Sequence, residues 1–461
     1  MTTKYLLFFI ILRSLFITIQ VYKMFNVFML ETNSLLSGIF LFVRLLLPMR
    51  SICTILLVCL SFIGLSQNYA QIKNRFDNYL NYHSSLNALV DITPDKIVFY
   101  NSQKQAEFTL LKNEWQTFAW LIKTLPEDSL EKIYLNKALL IKYKSPSNNQ
   151  SKKNINELKI VIDPGHISGN MKMARTEQKF LHFTKQNHAA LKQDSIDIAE
   201  GKLTFETASI LKKMLEEKGA KVILSRNENS TSFGYTYEEW IKKYKKETLD
   251  SLLAIKKITT QKHKQLIDAN PTVLFSSFFK DYELQHRAAV INAATPDLAV
   301  IIHYNVDEKN TDWKKPSNKN FCMTFIPGCL IADNMKSIQG KINLLRLLLC
   351  NDIDESEKIS GLVVNQLSKQ LNIPVANKTD ASYLSEHCLS SATKGVYSRN
   401  LALCRLVKTP LVYGECLYQD CEDECYALTQ NTETVYGIKT NKRVALAAQS
   451  FYSAIMQYYA E

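Results

Sequence analysis

The stretch that most restricts the fold is residues 158–166, Leu-Lys-Ile-Val-Ile-Asp-Pro-Gly-His. Its apolar, β-branched residues predict a strand, and Asp163-Pro164-Gly165 predicts where that strand ends. In an open α/β sheet, ligands bind just beyond the carboxyl ends of the strands. We therefore predict that His166 lies where a ligand is held.

Strand and helix patterns alternate after this stretch. Strands are predicted at 158–163, 221–224, 298–302 and 411–413, with helices at 202–218, 284–294, 361–371 and 395–406. In the helix at 202–218, Leu203, Ala208, Leu211 and Leu215 form an apolar stripe, and Gly219 stands at the C-cap position. This alternation predicts an α/β fold, with a mainly parallel twisted sheet and helices on both faces.

The domain organisation is predicted in three parts. Residues 1–70 form a leader, residues 71–150 a small α+β domain, and residues 158–461 the catalytic domain. In the α+β domain, residues 96–100 and 106–111 predict a hairpin, and helical patterns follow around 114–123 and 129–142. The catalytic domain carries two stretches that break the alternation and are predicted as insertions. The one near 227–282 reads as helical, and the one near 305–358 reads as irregular.

The leader is predicted to contain a signal peptide. Residues 4–48 are apolar, but charged residues interrupt them, so none of the pieces is a clean membrane span. Met49-Arg50, an apolar run at 52–65 and small residues before Gln67 predict a secretory signal peptide whose functional start is Met49. A membrane anchor within residues 1–48 is the alternative. The mature protein is then expected to be exported to the periplasm or cell envelope, without a stable membrane span.

Composition restricts the class of partner. The chain is 46% apolar and 22% charged, which is typical of a globular protein, and its net charge is +12. A diffuse positive charge favours an anionic surface such as a cell envelope. Because no basic stripe or known nucleic-acid-binding motif occurs, we expect no nucleic-acid partner.

Eight of the ten cysteines fall after residue 320. Their even number is compatible with disulfides in an oxidising compartment, and buried free thiols are the alternative. No Cys-x-x-Cys pair occurs, so a second metal site is not expected. Cys416 as a thiol nucleophile, with His303 as its base, is a weaker alternative for the chemistry.

Four residues are predicted to meet at one edge of the sheet. His166 follows the first strand, His303 and Glu415 follow two later strands, and Glu200 precedes the helix at 202–218. Two histidines and a carboxylate, with one position open, form a catalytic zinc site, and a further carboxylate can shuttle a proton. Asp163 could orient the His166 ring.

These residues also carry a resemblance to a known family. Ile160-Val-Ile-Asp-Pro-Gly-His166 resembles the opening motif of the zinc-dependent N-acetylmuramoyl-L-alanine amidases of family 3, which cleave peptidoglycan. Glu200 with its helix, the block at 287–305 that ends Ile-Ile-His-Tyr-Asn, and Pro410-Leu-Val-Tyr-Gly-Glu415 are similar to that family's later blocks. The resemblance implies that His166, Glu200 and His303 bind Zn²⁺ and that Glu415 is the general acid/base.

The resemblance further implies that peptidoglycan is the substrate, and an activator protein is a further candidate partner. Three departures matter. Glu177 is closer to the family's usual His–Glu spacing, although only Glu200 keeps register with the helix and Gly219. Tyr304 would place a large ring beside the metal, and Cys416 stands where a small residue is usual. Two other functions stay open, a zinc peptidase acting on stem peptides and an inactive cell-wall binding protein that recruits other hydrolases.

Overall fold

The structure is a computed structural model that describes residues 69–145, 153–167, 169–310 and 315–460. The chain divides into two units, residues 1–70 and 71–461. The predicted signal peptide and the start at Met49 lie outside the described residues. Within the described part, no helix is long and apolar enough to cross a membrane. All elements named below belong to the second unit.

A small antiparallel sheet lies near the start of the second unit. It consists of β1 (Val90–Ile92), β2 (Lys96–Tyr100) and β3 (Ala106–Leu111), followed by α1 (Trp115–Thr124) and α2 (Glu127–Leu135). The predicted hairpin is confirmed, because β2 pairs antiparallel with β3. Phe108 stacks on Tyr134 of α2 at 4.4 Å between ring centroids, so the sheet buries its apolar face against the helices. The boundary at residue 150 stays a prediction.

The rest of the unit contains eleven strands among the described residues. They are β4 (Lys159–Pro164), β5 (Phe180–Thr184), β6 (Ser195–Ala199), β7 (Lys221–Leu224), β8 (Leu298–Asn305), β9 (Met323–Pro327), β10 (Cys388–Ser390), β11 (Val396–Arg399), β12 (Leu411–Tyr418), β13 (Glu433–Val435) and β14 (Ile438–Thr440). Seven of them form the central sheet in the order β10-β11-β9-β12-β8-β4-β7.

The central sheet is mostly parallel. β4 runs parallel to β7 and β8, and β12 runs parallel to β8. β9 is antiparallel to β12, while β11 is parallel to β9 and β10 is antiparallel to β11. The predicted fold class is confirmed. The carboxyl ends of β4, β8 and β12 therefore lie together at one edge of the sheet, which is where the candidate site is found.

The helices of this part of the unit cover both faces of the sheet or lie beside it. They are α3 (Met171–Glu177), α4 (Glu200–Glu216), α5 (Tyr237–Glu239), α6 (Lys245–Ala254), α7 (Thr260–Asp268), α8 (Pro271–Leu274), α9 (Lys280–Ala293), α10 (Ile338–Leu349), α11 (Asp352–Leu371), α12 (Ser382–His387), α13 (Ala402–Leu406), α14 (Glu422–Thr429) and α15 (Lys442–Ala460). α9, α12 and α13 bury Ile291, Leu384 and Leu403 in one core with Phe325 of β9. On the opposite face, Thr207 of α4 hydrogen-bonds to Tyr304 of β8.

Two sequence-based expectations about secondary structure are wrong. The helix predicted at 395–406 is β11 followed by α13, with Asn400 and Leu401 between them. The first three residues of β11, Val396, Tyr397 and Ser398, are buried on both faces, so they lack the alternation that marks a half-buried strand. The stretch 305–358 is not irregular, because it contains β9, α10 and the start of α11.

The stretch predicted as a helical insertion, 227–282, is helical. Its short helices α5 to α8 and the start of α9 enclose their own apolar core, in which Trp240 and Phe279 are fully buried. Ile167 belongs to the same core. Because Ile167 directly follows His166, this core fixes the turn at the end of β4.

Candidate metal and acid–base site

The turn after β4 is held by two buried guanidinium groups. Arg226 donates to the carbonyl oxygens of Pro164 and Gly165 at 3.0 and 3.1 Å. Arg287 donates to the carbonyl oxygens of Pro164 and His166 at 3.2 and 3.3 Å. His166 adopts a left-handed backbone conformation, with φ of +59°. Such a conformation is unfavourable for a residue with a Cβ, so the surrounding contacts must maintain it.

The His303 ring is confined on both faces. A Cβ placed on Gly165 would lie 2.3 Å from its Cε1 atom, so only glycine allows the strand end to approach the ring this closely. On the other face Tyr413 stacks on His303, with ring centroids 4.7 Å apart and planes 4° from parallel. The His166 ring meets the His303 ring edge-on at 4.8 Å. The position of His303 is therefore fixed before any ligand binds.

Glu200 bridges the two histidines. It is the first residue of α4 and is buried. Its Oε2 lies 3.2 Å from Nε2 of His166, and its Oε1 lies 3.1 Å from Nδ1 of His303. The backbone N–H of Tyr304 donates to Oε1 at 3.2 Å, and the side-chain amide of Gln419 donates to Oε2 at 3.3 Å. These donors orient the carboxylate.

The three side chains fit a metal ion. Their nearest ligand atoms all lie within 4.8 Å of one another, and the residues that the structure describes hold no other such group. Two ligand atoms about 2.0 Å from a tetrahedral ion are about 3.3 Å apart, close to the two His–Glu separations. Burial lowers the pKa of His166 to about 4. Burial opposes ionisation of Glu200, but the two histidines outweigh it and hold the pKa of that carboxyl well below its usual range. Both groups are thus in their metal-binding forms at neutral pH.

Glu415 lies beside this cluster. β12 places it in register with His303 of β8, and in parallel neighbouring strands such partners share a face of the sheet. The residue is buried, and its Oε2 atom has no hydrogen-bond partner. Burial raises the pKa of the Glu415 carboxyl to about 7. The nearby Glu200 carboxyl adds to this rise, whereas the His303 ring and the Arg399 guanidinium oppose it. A carboxyl of this kind can accept and return a proton near neutral pH.

A cavity opens onto the cluster. The cavity has a volume of about 170 Å³ and is lined by His166, His303 and Tyr413. Phe275 and Leu284, at the end of the helical insertion and in α9, form one wall, and α13 contributes to another. The two histidines are therefore accessible to a substrate.

Several other sequence-based expectations can be compared with the geometry. Glu177 accepts hydrogen bonds from the backbone N–H of Ile167 at 3.0 and 3.1 Å, and it lies outside the His–Glu–His group. Tyr304 does not place its ring beside the metal site, because it is buried on the opposite face. Asp163 bonds to Ser225 and Arg287 rather than to the His166 ring.

The disulfides that the even number of cysteines suggested are not found. All eight cysteines among the described residues are free, so no disulfide forms there. Burial raises the pKa of the Cys416 thiol well above its usual range. Since a thiolate is the nucleophilic form, Cys416 is not suited to be a nucleophile.

The sequence profile of the N-acetylmuramoyl-L-alanine amidases matches residues 160–436, which include all four predicted site residues. This chain belongs to that family. No curated protein matches it closely enough to count as a relative. The amidase is similar to the solved structure of CwlD from Clostridioides difficile in complex with the GerS lipoprotein, at 18% identity over 66% of this chain and 99% of that one, with a TM-score of 0.35. It is also similar to Ami1 from Mycobacterium smegmatis, at 13% identity over 67% and 99%, with a TM-score of 0.35.

Sequence reasoning assigned no role to two residues that shape the site. Tyr413 stacks on His303, and Gln419 donates to Glu200. Tyr413 could have been found from the sequence, because it precedes Glu415 by two residues in a strand and must share its face. Gln419 follows the end of β12, so strand periodicity cannot predict which way its side chain points.

Proposed function

We propose that the amidase is an exported zinc enzyme that hydrolyses the amide between the lactyl group of N-acetylmuramic acid and L-alanine of the stem peptide. In this proposal His166, Glu200 and His303 bind Zn²⁺, and Glu415 is the general acid/base. The observation that supports it is the pairing of a fixed His–Glu–His group with an unpaired, buried carboxyl on the neighbouring strand.

An amide is difficult to hydrolyse because water is a weak nucleophile and an amine is a poor leaving group. A zinc ion at the His–Glu–His group would polarise the carbonyl and acidify water. Glu415 takes the proton from the attacking water and then delivers it to the leaving nitrogen. The raised pKa of Glu415 suits both steps, because the carboxyl gains and loses a proton near neutral pH.

The proposed location is the periplasm or cell envelope, where the enzyme would remodel the wall or separate daughter cells. The net charge of +12 supports an anionic partner of this kind. The signal peptide, the start at Met49 and an activator protein belong to the same proposal. The proposal also includes the three-part domain organisation and the insertions near 227–282 and 305–358.

The test is digestion of purified peptidoglycan by the mature protein with added zinc, and mass analysis of the fragments. We expect intact stem peptides with a free L-alanine amine, beside glycan strands without peptide. Cleaved stems still attached to sugar would instead identify a peptidase. Glu415→Gln is the matched control, because it removes the proton carrier and leaves the His–Glu–His group in place. Metal analysis of both proteins shows whether zinc is bound, and zinc-loaded wild type that releases nothing would refute the proposal.

A further inference from the structure

Arg399 is a cation whose role the proposed mechanism does not explain. It is the last residue of β11 and is half-buried. Its guanidinium carbon lies 4.9 Å from the centre of the Phe325 ring and 4.6 Å from that of the Tyr383 ring. Within the described part of the chain, the guanidinium has no hydrogen bond and no ion pair. The Glu415 carboxyl acts on this charge through space, but no carboxylate of the described residues contacts it, so the half-buried guanidinium is available to bind an anionic ligand.

The two rings that enclose Arg399 are themselves held in place. The Tyr383 hydroxyl accepts a hydrogen bond from the side-chain amide of Asn305 at 2.7 Å, and it lies 3.5 Å from the sulfur of Met323. Phe325 is fully buried in the central sheet. The guanidinium plane is therefore preorganised, and little side-chain entropy is lost when it binds a partner.

Arg399 is connected to the metal-binding group through a continuous series of side chains. Phe325 contacts Tyr413 at 5.9 Å between ring centroids, and Tyr413 stacks on His303 at 4.7 Å. The guanidinium is thus at most about 16 Å from the His303 ring, a distance that about four to five extended residues span. Two residues beyond Arg399, Leu401 lines the cavity over the histidines.

We propose that Arg399 binds a carboxylate of the stem peptide and makes the enzyme selective for an acidic stem. This inference rests on the proposed amidase function, because it assumes that the scissile amide lies at the His–Glu–His group. A planar guanidinium binds a carboxylate through two parallel hydrogen bonds, whereas a carboxamide offers only one acceptor atom and no charge. Arg399 is then a specificity residue rather than a catalytic one.

The test compares two substrates, N-acetylmuramic acid carrying a pentapeptide stem with free carboxylates and the same compound with carboxamides in place of its carboxylates. We expect the wild type to prefer the acid in kcat/KM. Arg399→Met, which keeps the packing between the rings, should lower kcat/KM for the acid about 10- to 100-fold, mainly through KM, since bonds to charged groups are among the strongest. Because Arg399 also attracts the Glu415 carboxylate, each protein is measured at its own pH optimum, where the value for the amide should fall much less than the value for the acid.

Arg405→Met is the matched control. Arg405 lies in α13, and its guanidinium is already satisfied by the carbonyl and side-chain oxygens of Asn400 at 3.2 and 2.7 Å. The variant removes the same charge six positions away and should keep the preference for the acid. If Arg399→Met does not fold, Arg399→Lys keeps a charge but lacks the planar group, and we expect it to lose most of the preference.

The outcomes separate this inference from the proposed function. If the zinc-loaded wild type cleaves neither compound or intact peptidoglycan, the amidase function fails, and the inference fails with it. If the wild type cleaves both equally, only the role of Arg399 is refuted. An equal loss of kcat on both substrates at their pH optima would show that Arg399 acts only through Glu415 and would also overturn the inference.

Discussion

Replacing Gly165 by alanine should abolish tight metal binding, although Gly165 has no side chain that could bind a metal. The new Cβ would lie 2.3, 2.4 and 2.6 Å from Cε1, Nε2 and Nδ1 of His303. Carbon atoms in contact are about 3.5 Å apart, so the ring or the strand must move by about 1 Å. The ring has no free space behind it, because Tyr413 covers its other face and packs against Phe325.

The size of the effect follows from the strictness of zinc coordination. Ligand distances in zinc sites vary by about 0.2 Å, so a shift of about 1 Å removes His303 from the ligand set. Disturbing a group that only supports a ligand already costs about 10- to 100-fold in affinity. We therefore expect the Kd for zinc to rise by at least about 100-fold, which corresponds to about 2.7 kcal/mol.

The assay is titration of the metal-free protein with zinc against a chromophoric chelator, with thermal unfolding as a check on the fold. Gly437→Ala is the matched control. Unlike Gly165, Gly437 has a positive φ, +77°, and a Cβ there has no atom within 4 Å. It should lose a little stability and keep the affinity for zinc. A folded Gly165→Ala protein with an unchanged Kd would refute the steric argument.

Three further predictions concern carboxyl groups. Glu415→Gln should keep its zinc and lose about 10²- to 10⁴-fold in kcat, and loss of metal by elemental analysis would contradict its role. Glu200→Gln should lower the bound zinc while Glu177→Gln should not, and the reverse result would reassign the ligand. Burial raises the pKa of Glu206, whose Oε2 accepts from Thr440 at 2.6 Å. Because the folded-state pKa is the higher one, Glu206 destabilises the fold increasingly as pH rises through that pKa. Glu206→Gln should therefore raise Tm at pH 7 to 8 and have no effect below about pH 4, and equal Tm values throughout would be inconsistent with this shift.

The convergence of His166, Glu200, His303 and Glu415 could be predicted from the sequence, because parallel strands bring their carboxyl ends to one edge. The ends of the strands could be predicted less accurately. β8 and β12 continue to Asn305 and Tyr418, so His303 and Glu415 lie within strands rather than after them. The two-residue periodicity of strands still predicts correctly that His303 and Glu415 share a face of the sheet. Periodicity determines the face on which a side chain lies but not the residue at which a strand ends.

Contacts distant in the sequence account for what could not be predicted. Ser398 is a polar residue buried in β11, and its hydroxyl donates to the carbonyl oxygen of Tyr79 at 3.0 Å. No local sequence pattern indicates that Ser398 bonds to a residue so far away in the chain. The sequence alone therefore predicts a helix where β11 lies. The same holds for Arg399, whose two aromatic neighbours come from β9 and α12.

The position of β12 has a consequence for biogenesis. It is the last of the seven sheet strands in the sequence, yet it lies in the interior between β8 and β9. Its partner β8 precedes it by roughly a hundred residues, and pairing over such separations is slow. A growing chain shorter than about 410 residues contains both histidines but lacks Glu415, the proposed proton carrier. If the proposed mechanism holds, an incomplete chain is inactive, and activity arises only when the final strand inserts.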